Sequence, residues 1–81
     1  MPRLRVLSGR DVVGILARFD FRLVSTRGSH AKLARDRAGG PREVLTVPLH
    51  PSLAPGTILA IYRQAARFVP ESELRPFFYG N

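Results

Sequence analysis

The sequence predicts an α+β domain in which one short antiparallel sheet is covered on one face by helices and left open on the other. Three observations predict it: an apolar stripe of helical period near the N-terminus, three strand-like segments in succession between residues 21 and 47, and a second helical stripe after a proline-rich crossover. The order is α-β-β-β-α plus a short C-terminal helix, and 81 residues suffice for one domain, 1–81, around one modest core.

Ser8, followed three residues later by Asp11, reads as a capping box opening the first helix. Val12, Ile15, Leu16 and Phe19 then recur on one face, and Asp20 ends the helix through its turn preference. From Phe21 the period changes to two, with Phe21, Leu23 and Ser25 alternating with Arg22, Val24 and Thr26. Arg27-Gly28-Ser29 is a short turn in which glycine supplies the positive φ. The second strand, His30 to Arg35, sets His30, Lys32 and Ala34 on one face and Ala31 and Leu33 on the other. A loop from Asp36 to Pro41 leads to a third strand, Glu43 to Val47, whose ladder Pro48 ends.

The stretch from Pro48 to Gly56 holds three prolines and reads as an ordered crossover. Ile58, Ile61, Tyr62 and Ala65 mark the second helix. Pro70 opens a third, short helix through Leu74, with Glu71 and Glu73 matched to its dipole, and Pro76 stops it. Phe77, Phe78 and Tyr79 are too apolar for a free tail and are expected to pack back onto the domain. Phe19, Phe21 and Tyr62 read as core.

A hydrophobic fraction of 44% with 23% charged residues argues against wholesale disorder. With no cysteine, disulfides, thiolate–zinc sites and a thiol nucleophile are excluded, and two histidines alone do not make a metal site. No apolar run approaches membrane-spanning length, and the first ten residues, broken by three arginines, do not read as a signal peptide. A cytoplasmic location is the expectation, with no membrane partner. The chain carries 13 basic and 6 acidic residues, a net charge of +7. Residues 1–50 hold ten basic and four acidic groups of these, which points to a polyanion docking on the first fifty residues. Solubility alone is the plainer reading of such a charge. Twelve of the basic residues are arginine, whose planar fork suits phosphate, although heavy arginine use also follows a GC-rich genome.

Four segments together resemble the HicA (YcfA-like) family of bacterial toxins over about residues 8–75. Ser8-Gly9-Arg10-Asp11 looks like the family's helix opening, and Gly28-Ser29-His30 is similar to its catalytic triplet at the start of the second strand. Val47-Pro48-Leu49-His50 matches the end of its third strand, and Gly56-Thr57-Ile58 with Ile61 and Arg63-Gln64-Ala65 looks like its second helix. The chain departs from the family in an uncharged crossover, His50 to Pro55, where lysines are usual. It departs again where Ala66-Arg67-Phe68 replaces a glycine, which is expected to lengthen the second helix. The resemblance implies a double-stranded-RNA-binding-domain-like fold, cleavage of mRNA without the ribosome, and neutralisation by a HicB-type antitoxin.

The resemblance singles out His30 as the catalytic residue. One positioned imidazole serves as general base or acid near neutral pH. RNA brings its own nucleophile, the 2′-hydroxyl, so such a nuclease needs no metal and no cofactor, only proton transfer and positive charge around the phosphate. Arg27, Lys32 and Arg22 are candidate phosphate contacts, and Gly28 and Ser29 offer backbone N–H groups. The plainer reading of a lone histidine on a strand is structural. His50 reads first as a residue holding the crossover and second as a catalytic support. Ser29 reads as a turn residue rather than a nucleophile, since no second base is placed for a triad. Arg18, Arg35, Arg37 and Arg42 are individually solvated arginines or non-specific phosphate contacts, and Arg63 and Gln64 read as helix-surface residues. The rival to the endoribonuclease is a non-catalytic RNA-binding module of the same fold. A third, weaker reading is a purely structural partner in a larger complex.

Overall fold

The computed structural model describes residues 2–80, in the order β1 (Arg3–Leu4), α1 (Gly9–Ala17), β2 (Arg22–Arg27), β3 (His30–Arg35), β4 (Glu43–Pro48), α2 (Pro55–Ala65), α3 (Glu71–Phe78) and β5 (Tyr79–Gly80). β2, β3 and β4 form the expected three-stranded antiparallel meander, with β3 in the centre. The core lies between the helices and one sheet face. Val12 and Leu16 of α1, Leu33 and Val47 of the sheet, Ile58 of α2 and Leu74 and Phe78 of α3 are all almost fully buried in one cluster.

α1 starts as its residues dictate. The Ser8 side chain accepts from the Asp11 N–H at 3.0 Å, and the Asp11 carboxylate accepts from the Ser8 N–H at 2.9 Å, completing the capping box. Gly9 is needed for a different reason: a Cβ there would collide with the Pro48 carbonyl and lie 2.7 Å from the Leu49 Cα. The Gly9 N–H donates to the His50 carbonyl at 2.9 Å. The helix opening is therefore clasped directly onto the end of β4. After Ala17 the chain turns through Arg18 to Asp20, whose φ of 71° is one that aspartate tolerates better than most side chains.

Two helix ends differ from expectation. α2 ends at Ala65 rather than running through Ala66-Arg67-Phe68; the Arg67 and Phe68 N–H groups donate to Gln64 and Ala65 in a tighter turn. Val69, the residue before Pro70, is buried at a bend in the chain, and a residue that precedes proline is disfavoured in the helical conformation. α3 is not stopped by Pro76 but continues to Phe78. Burial of Leu74 and Phe78, with the Tyr62 ring 5.2 Å from that of Phe78, outweighs the one helical hydrogen bond that proline removes. The two-stranded sheet of β1 and β5 was not anticipated, because strands of two residues carry no period. Phe77, Phe78 and Tyr79 do pack onto the domain as expected.

Arg35 is the largest departure at the level of single residues. It is nearly buried and is bound on all sides. Its guanidinium donates to Glu43 at 2.8 Å, to the Phe19 carbonyl at 3.0 Å and to the Phe68 carbonyl at 2.8 Å, and lies over the Phe21 ring. It ties the sheet to the turns after α1 and α2, so it is not available to a phosphate.

Candidate functional site on the open sheet face

His30 and Lys32 are exposed on the sheet face that the helices leave uncovered, while Ala31 and Leu33 between and beyond them are buried. That placement is the plain consequence of period two along β3. What comes to face them depends on an irregularity in β2. The pairing runs Arg22↔Ala34 and Leu23↔Leu33, then shifts to Ser25↔Lys32, Thr26↔Ala31 and Arg27↔His30. One extra residue in β2 between Leu23 and Ser25 is a β-bulge, which reverses the face of everything beyond it. Without the bulge, Ser25 and Arg27 would point to the helix side of the sheet with Leu23, which is the alternation that the sequence suggests, although β2, at the sheet edge, is exposed along its length. With it, both stand on the open face, Arg27 directly across from His30.

The hairpin between β2 and β3 is the two-residue turn Gly28-Ser29. Gly28 has a φ of 59° and Ser29 a negative one, the pattern of a II′ turn, which requires glycine first. The Gly28 and Ser29 N–H groups make no backbone hydrogen bond among the described residues, while the Ser29 carbonyl accepts from Leu49. On the other side, β4 sets Thr46 beside Lys32 and Pro48 beside His30. Ser25, Thr26, Arg27, His30, Lys32 and Thr46 together line a cleft of about 420 Å³ with no carboxylate in its wall.

The charge around this cleft is uncompensated. Asp36 pairs with Arg22 and Arg42, Glu43 with Arg35 and Arg37, and Glu71 with Arg75. Asp11 is held by Ser8, whose backbone N–H and then side chain keep its carboxyl below the usual carboxylate range. Neither Arg27 nor Lys32 has an acidic partner among the described residues. An anion entering the cleft therefore meets two free cations beside an imidazole.

The structure thus brings together His30, Arg27, Lys32 and the Gly28-Ser29 turn. It does not bring in Arg22, which sits at the opposite end of β2 and is ion-paired with Asp36 at 3.8 Å. His50 is exposed and does not line the cleft; what holds the crossover there is its backbone carbonyl rather than its ring. Ser25 and Thr46 line the cleft without having been singled out. Thr46 could have been found from its place opposite Lys32, but the bulge that delivers Ser25 has no glycine or proline to announce it. Among the described residues no three acidic or histidine side chains group as a metal site, and no helix is long and apolar enough to cross a membrane.

Residues 9–66 match the family described as HicA toxin of bacterial toxin-antitoxin. The match covers the first helix, the three-stranded sheet and the second helix, and so includes every residue that lines the cleft. No curated protein and no solved structure matches the chain.

Proposed function

The chain belongs to the HicA toxin family of bacterial toxin–antitoxin systems, and from that premise we propose that it is an endoribonuclease acting on mRNA through His30. The observation that carries the reading is the juxtaposition of an exposed histidine with two unpaired cations and a glycine turn on one open sheet face.

In this reading a single RNA strand lies on the sheet with the scissile phosphate over His30. The imidazole moves a proton at the 2′-hydroxyl or at the leaving 5′-oxygen. As the hydroxyl oxygen bonds to phosphorus, the phosphate gains phosphorane-like negative charge, and the P–O bond to the next nucleotide breaks. Arg27, directly across from His30, and Lys32, two residues along β3, stabilise that charge, and the Gly28 and Ser29 N–H groups are donors within the same turn. No protein nucleophile, metal or cofactor is required by this chemistry. Arg22 would meet only an RNA long enough to follow β2 to its far end. His50 stays outside the reacting set.

An antitoxin of the HicB type would silence the enzyme by covering this face. The positive charge of the cleft calls for an acidic or otherwise complementary surface on that partner. Induced expression of the wild type beside His30→Ala, with growth and mRNA integrity followed together, tests the proposal. Growth arrest with mRNA loss is expected for the wild type and neither for the variant. An arrest that persists in His30→Ala would refute the catalytic role.

A further inference from the structure

The cleft holds two hydroxyl side chains that the chemistry at His30 does not use. Ser25 and Thr46 stand on either side of Lys32, one on each neighbouring strand. Strands lie about 4.8 Å apart, so each side chain starts roughly that far from Lys32. Neither hydroxyl makes a side-chain hydrogen bond within the protein among the described residues, and both line the cleft. This row lies two residues along β3 from the row of Arg27 and His30, a step of roughly 6.7 Å. That step is comparable with one sugar–phosphate repeat of an extended strand.

Resting on the endoribonuclease reading, we propose that Ser25, Lys32 and Thr46 form a second phosphate subsite, which holds the phosphodiester next to the cleaved one. The Lys32 ammonium then lies between the two phosphates and shares its charge with both, and the two hydroxyls donate to the non-bridging oxygens of the second from either side. Two rows then grip two consecutive phosphates of one strand and set the scissile one over His30. The β-bulge acquires a purpose here, since it alone turns Ser25 onto this face. Threonine is also a common strand former, so Thr46 could serve pairing alone; Thr46→Val keeps the shape and the strand preference and removes only the hydroxyl.

The test uses the purified full chain and a defined single-stranded RNA transcript. Kd is measured in a His30→Ala background, where the RNA stays intact, with and without Ser25→Ala/Thr46→Val. KM and kcat are measured for the same pair of substitutions in the wild-type background. The proposal expects Kd and KM to rise on the order of a hundredfold, for two lost hydrogen bonds to a charged group, with kcat little changed. Unchanged Kd and KM in a chain that cleaves RNA would overturn the second subsite and leave the catalytic reading standing. A wild-type chain that neither binds nor cleaves RNA would overturn both.

Discussion

Replacing Gly9 with alanine pushes a methyl group into the backbone at the end of β4. The new Cβ would collide with the Pro48 carbonyl oxygen and lie 2.7 Å from the Leu49 Cα and 2.9 Å from the Pro48 carbonyl carbon. All three neighbours are main-chain atoms, so no rotamer change relieves the contact, and the helix must lift away from β4. Overpacking of this kind costs about 1–3 kcal/mol. Stretching the Gly9 N–H bond to the His50 carbonyl adds about 0.5–1.5 kcal/mol. Against this stands a gain of up to about 1 kcal/mol from alanine's better helix propensity. The balance is a loss of about 2 kcal/mol, equivalent to a melting temperature lower by roughly 8–16 °C for a domain of this size. Gly14 is the internal control. It lies in the same helix, is exposed, and has no atom near its would-be Cβ, so Gly14→Ala should raise the melting temperature by roughly 4–8 °C. Thermal unfolding followed by far-ultraviolet circular dichroism reads both. A Gly9→Ala protein as stable as the wild type would refute the claim that the helix opening is clasped onto β4.

Arg35→Met should cost about 3 kcal/mol in urea unfolding, because it leaves the nearly buried Glu43 only the longer, exposed contact with Arg37 and frees two carbonyls. Arg35→Met/Glu43→Leu should recover part of that loss, and a double variant no better than the sum of the singles would show that the pair is not coupled. Asp11 has its folded-state pKa lowered by the Ser8 backbone N–H and side chain. Its contribution is therefore present at neutral pH and lost as the pH falls through the ordinary carboxylate range toward the lowered value. Asp11→Asn should accordingly flatten the acid side of the stability–pH curve, and an unchanged acid limb would contradict this. Arg27→Ala should lower the slope of log Kd for RNA against log salt by about one, as loss of one phosphate contact requires. An unchanged slope would remove Arg27 from the interface.

Much of this architecture was legible in the sequence because local signals and burial agree there. Ser8 and Asp11 mark a helix start that the capping box realises, and the alternation along β3 places His30 and Lys32 on the open face without help from elsewhere. What could not be read depends on contacts distant in sequence. Pro76 reads as a stop, yet the burial of Phe78 carries α3 past it. Arg35 resembles its solvated neighbours in the sequence, and only the fold brings Glu43, Phe19 and Phe68 around it. The candidate site divides in the same way. The histidine and its turn are local, whereas the arrival of Arg27 and Ser25 on the same face depends on one extra residue in β2, set by pairing with β3.

The central claim is that His30 transfers the proton in RNA cleavage, and the most direct measurement is cleavage of a purified single-stranded RNA by the isolated chain and by its His30→Ala variant, each first shown to unfold at the same temperature. The wild type should cut the RNA, His30→Ala should bind it without cutting, and a 2′-deoxy substitution at the cut position should block the wild type. Cleavage by His30→Ala at the wild-type rate would contradict the claim.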